Sequence, residues 1–283
     1  MILDFKQVRI PYNLPTYPPY HVGKYIEEYF YTFYIQNKNT FDNTGFTLLP
    51  IFWTTAYWYN LNLTPYIDAL PKNKKFFCVA QHDDGVKEPL PSDTIVFSAG
   101  GNKGGIPIPL VCSPIQHKPT ISTRDILCSF IGSNTHSVRE QMFNALYSDK
   151  SFYIKPRNWT FSFTDLEQTN FIDITSRSEF ALCPRGYGLQ SFRFYEALQL
   201  GAIPIYVHDD VVWKPYKDEL DWDEFSISIH INDIGSIKDI ISSISLDKKN
   251  EMRRKGLKAY NEVFALKCLP NKILNYLQTL NKS

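Results

Sequence analysis

CPRGYGLQSFRFYEALQLGAIPIYVHDD, residues 183–210, reads as one strand–turn–helix–strand unit. Glu179 to Cys183 is an apolar strand, and Pro184-Arg185-Gly186-Tyr187-Gly188 is a turn. Residues 191–200 have helical spacing, Gly201 stops the helix, and 203–207 is a second strand before the acidic turn Asp209-Asp210. Strand, helix and strand in this order belong to a parallel sheet covered by helices on both faces. In such sheets the turn at a strand's carboxyl end is where ligands bind.

The residues of that turn select an anion. A helix starting near Ser191 points its free N–H groups and the positive end of its dipole into the turn, and Ser191 can cap it. Phosphate is the commonest anion at such a site. Arg185 and Arg193 add charge with fixed donor geometry. Glu196 lies three residues after Arg193 on the same helical face. A carboxylate there cannot face a phosphate, but it can accept bonds from a ribose diol. The inferred ligand is a nucleotide with a diphosphate. Two other readings compete. Arg193 and Glu196 can be a solvated pair of small energetic weight. Gly186-Tyr187-Gly188-Leu189-Gln190-Ser191 is also one residue short of the dinucleotide fingerprint, with Asp209 about 20 residues on, which would suit an NAD-dependent oxidoreductase. Ser191 in place of the third glycine, and Arg185 inside the turn, speak against it.

Outward from this unit the second half keeps alternating. Strands are expected at 126–131, ended by Gly132-Ser133, and at 225–231, with helices at 136–147, 234–245 and 247–264 and a last helix from Pro270. In the first half, 21–36 carries Val22, Ile26, Tyr29, Phe30 and Phe33 at near-helical spacing. Strands are expected at 47–52 and 76–80, with a short helix at 63–70 that tolerates Pro65 in its first turn. Polar loops follow at Gln81-His82-Asp83-Asp84-Gly85 and at Gly100 to Gly105. Four prolines within 106–120 mark the approach to a domain boundary. The expected domains are 1–120, 121–264 and a helix over 265–283 that crosses back to the first.

Composition narrows the function classes. The chain has 283 residues, 43% of them hydrophobic, and a net charge of +1. That supports one or two packed cores and gives no reason to expect nucleic acid or an anionic membrane as partner. Met1-Ile2-Leu3-Asp4 is charged at once, and no apolar run approaches the ~18 residues of a membrane span. The five cysteines are dispersed, which suits reduced thiols and a cytoplasmic location. Asn62-Leu63-Thr64 and Asn158-Trp159-Thr160 match the glycosylation triplet and are read as chance.

The residues then resemble a known family. Ser178 to Gly186, Ser191-Phe192-Arg193, Glu196-Ala197-Leu198, Gly201 and Ile203-Pro204-Ile205 are similar to the conserved block of the exostosin-like glycosyltransferases. His82-Asp83-Asp84-Gly85 resembles that family's His-Asp-Trp-Gly element, with Asp84 in place of tryptophan. Ile108-Pro109-Leu110, Phe130-Ile131-Gly132, Val138-Arg139-Glu140 and Trp222-Asp223-Glu224-Phe225-Ser226 extend the likeness over about 76–245. The resemblance implies an α/β GT-B fold, two Rossmann-like domains with a cleft between them. It implies an inverting transferase that moves a sugar from a UDP-sugar, xylose being the first guess, to a hydroxyl of a glycan acceptor. It also suggests the short members found in large algal DNA viruses, and so host cytoplasm.

Carried onto this chain, the resemblance places the donor on Gly132, Ser133, Arg139 and Ser178 from one side. Arg185, Gly186, Tyr187, Ser191, Arg193 and Glu196 complete the donor set. Inversion needs a base on the acceptor hydroxyl. Asp83 is preferred to Asp84, and His82 orients a carboxylate or binds substrate. Tyr57, Trp58 and Tyr59 are candidates for stacking on an acceptor sugar. Gly100 to Gly105 either lets a sugar approach the backbone or forms a mobile loop. No metal or other cofactor is expected, because helix dipole and arginines can hold the leaving diphosphate. The aspartate pairs Asp83-Asp84 and Asp209-Asp210 are read as turn and cap residues. A protein that keeps the nucleotide site without turnover, as a binding or scaffold module, is the rival reading.

Overall fold

Strand and helix alternate into two separate parallel sheets. The computed structural model describes residues 4–11, 25–111, 114–115, 119, 123–160 and 163–281. Val22, Cys112, Met1 to Leu3 and the boundary expected at 120–121 lie outside the described residues. The first sheet has the order β1 (Phe46–Leu48), β2 (Lys75–Ala80), β3 (Ile95–Ser98), β4 (Ile106–Pro107). Its helices are α1 (Ile26–Gln36), α2 (Lys38–Asp42), α3 (Trp53–Trp58) and α4 (Thr64–Asp68). The second sheet is built from β5 (Ile126–Ser133), β6 (Phe152–Arg157), β7 (Ser178–Pro184), β8 (Ile203–His208) and β9 (Ile227–His230). Between and after its strands come α5 (Ser137–Leu146), α6 (Asp165–Arg177), α7 (Phe192–Leu200), α8 (Ile237–Ser242), α9 (Leu246–Ala259) and α10 (Leu269–Leu280). Its spatial order is β6-β5-β7-β8-β9, all parallel.

Some expected elements end elsewhere. The strand expected at 47–52 stops at Leu48, because Pro50 has no N–H to give a ladder, and the chain turns into α3. The helix expected at 234–245 begins as a 3-10 turn, Ile231–Ser236, before α8, and the one expected over 247–264 ends in a π-turn at Tyr260–Phe264.

Period-two alternation decides what each sheet face meets. On β2, Phe77 and Val79 face one core, and Phe76, Cys78 and Ala80 face another. On β7, Ala181 and Cys183 face one core, and Phe180 and Leu182 another. The Phe77 face and the Ala181 face belong to the same core, together with Ile26 and Phe30 of α1, Tyr195 of α7 and Leu269, Ile273 and Leu277 of α10. Tyr276 of α10 sets its ring edge on Phe97 of β3, with centroids 5.6 Å apart. The side-chain amide of Asn281 donates to the Asn43 carbonyl at 3.2 Å. The last helix therefore packs against the first sheet's elements.

Candidate functional site

The sheet order locates a crevice before any side chain is considered. From β5 the chain steps to β6 on one side and then crosses to β7 on the other. Ligands of doubly wound sheets sit at such a switch point, outside the carboxyl ends of the two strands. Here those ends are Gly132-Ser133 and Pro184-Arg185-Gly186. A cavity of about 400 Å³ lies there. Gly132, Ser133, Gly186, Ser191, Arg193 and Glu196 line one side, and Tyr25, Thr54, Trp58, Gln81, His82 and Asp83 line the other.

The helix start behaves as its sequence predicts. Ser191 has extended backbone and its Oγ accepts from Arg193 N at 3.3 Å, capping α7. Gly201 ends α7 in the left-handed region at φ 73°. Arg193 Nη1 donates to Glu196 Oε2 at 2.5 Å, and its guanidinium lies 4.1 Å from the Phe171 ring centroid. Glu196 is 2% exposed, so this is no solvated surface pair. Burial raises the Glu196 pKa, and Arg193 opposes the rise. Glu196 Oε1 has no hydrogen-bond partner among the described residues, while the residue lines the cavity. That oxygen is placed to accept from a ligand hydroxyl.

Other predicted donor residues fall differently. Arg139, on α5, donates to the carbonyls of Ser133 and Arg185, both at 2.8 Å, and of Pro184 at 3.3 Å. It ties the two strand ends together at the switch point and lines the cavity. Tyr187 is 54% exposed at the cavity rim. Two expectations are corrected. The Arg185 guanidinium is not among the cavity-lining groups. It donates to Asp209 Oδ2 at 2.7 Å, to Asn102 Oδ1 at 2.9 Å and to the Tyr187 carbonyl at 3.3 Å; Asp209 follows β8, the neighbour of β7, and so lies beside the residue that follows β7. Ser178 opens β7 at its amino end, on the far side of the sheet, where its Oγ bonds Ser129 Oγ and the Ile174 carbonyl, both at 2.7 Å.

The dinucleotide reading loses ground on the same observations. Its glycine turn belongs after a sheet's first strand, whereas this turn follows β7, the third strand of its sheet in chain order. Asp209, which would hold a ribose, pairs with Arg185.

On the opposite wall, Asp83 follows β2 and lines the cavity. Its Oδ1 accepts from Gly188 N at 2.9 Å. Glycine at 188 suits this close approach, since a Cβ there would come to 3.0 Å from that oxygen and 3.1 Å from the Gly100 backbone, which would have to shift by a few tenths of an ångström. Burial raises the Asp83 pKa, with the Gly188 amide lowering it and Asp84 raising it further. His82 also lines the cavity; its Nδ1 accepts from Asp84 N at 3.2 Å, leaving Nε2 as the protonated nitrogen of the neutral ring. Burial, with Lys87, lowers its pKa to about 4, against Asp84. Asp84 lies outside the cavity lining and accepts from Asn102 Nδ2 at 3.3 Å.

Of the three aromatic candidates only Trp58 lines the cavity, at 42% exposed. Tyr57 instead bonds Glu88 and packs its ring on His82 at 4.8 Å. Tyr59 is exposed outside the lining. The glycine loop does not open onto the cavity. Asn102 N and Lys103 N donate to the Asp83 and Asp84 carbonyls, and a Cβ on Gly101 would strike the Trp213 ring at 2.6 Å.

Sequence reasoning missed one whole wall. Arg157 of β6, Glu167, Gln168 and Phe171 of α6, and Trp159 and Phe163 between the two elements line the cavity beside Arg193. A signal for α6 was present: Thr164 and Glu167 form a capping box, with Thr164 Oγ1 taking Glu167 N at 3.2 Å and Glu167 Oε2 taking Thr164 N at 2.9 Å. Among the described residues no helix is long and apolar enough to cross a membrane, and no three His, Cys, Asp or Glu side chains are grouped to hold a metal ion.

A family profile, the exostosin GT47 domain, matches residues 96–244, more than half of the chain. The chain belongs to the exostosin GT47 family. The matched GT47 residues run from β3 to just past α8 and include the whole strand–turn–helix–strand unit 178–210. Individual relatives agree. A probable glycosyltransferase of Arabidopsis thaliana is 31% identical over 140 residues, which are 50% of this chain and 26% of that protein. A probable glucuronosyltransferase of Oryza sativa subsp. japonica is 37% identical over 84 residues, 30% of this chain and 20% of that protein. The matches thus span about a quarter or less of these relatives' length. Among solved structures, that of TarM aligns over 78% of this chain and 57% of its own, at 10% identity and a TM-score of 0.41.

Proposed function

We propose that this GT47 chain transfers a sugar from a UDP-sugar to a hydroxyl of a glycan acceptor, with inversion. The observation that carries the reading is one cleft with two chemically different walls. On one wall the capped start of α7 and the buried Arg193–Glu196 pair suit a nucleoside diphosphate. On the other stand a half-buried carboxyl, Asp83, a neutral His82 and an exposed indole, Trp58. The names borne by the plant relatives support sugar transfer, and glucuronosyl joins xylosyl as a donor to try.

In this mechanism Asp83 takes the acceptor proton as the acceptor oxygen attacks the anomeric carbon from the face opposite the diphosphate. The carbon–oxygen bond to the diphosphate breaks, and its electron pair leaves on a phosphate oxygen. The N–H groups at the start of α7, with Arg139 and Arg193, face that developing charge. Glu196 Oε1 accepts from the ribose. A scaffold without turnover is favoured only by Asp83 Oδ1 already being bonded to Gly188.

The test is a panel of UDP-xylose, UDP-glucuronate, UDP-glucose and UDP-N-acetylglucosamine, assayed for hydrolysis with and without excess EDTA. Release of UDP from one of them that persists in EDTA is the expected result. UDP binding by calorimetry without turnover of any donor or added glycan would favour the scaffold. Absence of UDP binding would overturn the nucleotide reading altogether.

A further inference from the structure

The side chain of Gln190 is one of the most fully used polar groups of the molecule. It is 5% exposed and lines the cavity immediately before the cap of α7. Its Nε2 donates to the Ala99 carbonyl at 2.6 Å and to the Ile108 carbonyl at 2.8 Å. Its Oε1 accepts from Leu110 N at 3.3 Å and from the Tyr195 hydroxyl. A glutamine has two donor hydrogens and two acceptor lone pairs, and all four are taken. The orientation is unique. Leu110 N–H can only donate and the two carbonyls can only accept, so a flipped amide would lose all three bonds.

The partners come from both halves of the fold. Ala99 follows β3, Ile108 and Leu110 follow β4, and Tyr195 lies on α7. Beside Gln190, Leu189 N donates to the Gly100 carbonyl at 2.7 Å and Gly188 N to Asp83 Oδ1 at 2.9 Å. One side chain thus anchors the turn 184–190, which leads into the start of α7, to the segments packed on the Asp83 loop.

We propose that Gln190 is a positioning residue whose amide holds the Asp83 wall and the donor turn at a fixed separation, so that the cleft is set before substrate arrives. The role rests on the reading of the two walls given above. A base works only within reach of its proton, and small displacements of reacting groups cost rate steeply. Binding of the nucleotide alone needs only the donor wall. The two quantities should therefore separate when Gln190 is changed.

The experiment uses the full chain carrying Gln190→Met, which is of similar length and makes none of the four bonds. Without ligand, hydrogen exchange at Leu110, Gly188 and Leu189 is expected to quicken by about tenfold or more, while Cys128 and Phe130 of β5 keep their rates. Unchanged exchange at Gly188 and Leu189 in the folded variant overturns the proposal. In the active protein, donor turnover is expected to fall about tenfold or more with the UDP dissociation constant changed less than about threefold. Equal losses in both would make Gln190 part of the donor site and overturn its positioning role. Tyr195→Phe, which removes one of the four bonds, serves if the first variant does not fold, and the same exchange pattern in weaker form is expected. A wild-type chain that binds no UDP would refute the donor reading, and the exchange result would still decide Gln190.

Discussion

Asp83 gives one carboxyl oxygen to the Gly188 amide and lines the cleft with the rest of its side chain. Asparagine keeps that acceptor but takes no proton at neutral pH. Asp83→Asn is therefore expected to lower turnover by about 10²–10⁴-fold with melting temperature and UDP affinity nearly unchanged. Asp84→Asn, off the cavity, should stay close to wild type in the same assay. Because burial raises the Asp83 pKa, turnover should climb with pH through a range above the ordinary carboxylate value of 3.8 and vanish below it. His82 makes the opposite kind of statement about stability. The fold favours its neutral ring, with a pKa near 4 against 6.5 for the free group. Its contribution is present above pH 6.5 and is lost as pH falls toward about 4, where the unfolded chain takes the proton and the fold resists it. Urea unfolding across that window should show wild type losing more stability than His82→Gln. These residues were legible as residues. Their partners were not: Asp83 and Gly188 lie 105 positions apart.

At the scale of the element, α7 was the clearest in the chain because each end carries its own signal. Ser191→Ala removes the cap and should cost about 1 kcal/mol. On the proposed function it should also weaken UDP binding, since it loosens the N–H groups at the start of α7. Gly201→Ala puts a Cβ at φ 73° and 2.6 Å from Arg124 Nη2. The left-handed backbone alone should cost roughly 1–2 kcal/mol, read as a lower urea midpoint, without touching UDP affinity. Other elements were harder to read for definite reasons. The strand β3 has only four residues, Ile95 to Ser98, and two of them are only part-buried, so neither length nor alternation announces it. The edge strand β6 contains Pro156 and polar residues, a pattern that suits an edge and reads as a loop. The helix α6 carries a capping box but a broken apolar stripe, because its Phe171 face turns toward the cavity as well as the core.

For the whole molecule the shared core governs behaviour. The inner faces of both sheets, α1, α7 and α10 bury one continuous set of side chains, from Phe77 and Phe97 to Phe194 and Phe264. Two units that cannot keep their cores apart should not melt apart. Calorimetry is expected to show a single transition with equal calorimetric and van't Hoff enthalpies. Two resolved transitions would contradict this. Removing α10, residues 269–281, would strip Leu269, Ile273 and Leu277 from that core and is expected to abolish soluble folding, as judged by loss of the cooperative transition.

By itself the sequence determined the α/β class, the parallel sheets and the strand–turn–helix–strand unit of 178–210, because these follow from signals within some thirty residues: period-two strands, a capped helix, a glycine stop. It also placed Arg193 and Glu196 together, since a helix turn makes neighbours of residues three apart. Only the tertiary structure decided which charged groups line the cavity. Arg185 was paired with Asp209 by the adjacency of β7 and β8, and Ser178 was set at the opposite end of β7 by strand direction. Trp58 was separated from Tyr57 and Tyr59 by which face of the chain meets the cleft. The Arg157–Phe171 wall and the four bonds of Gln190 join segments that come together only when both sheets pack on one core, and no local pattern encodes a contact of that range.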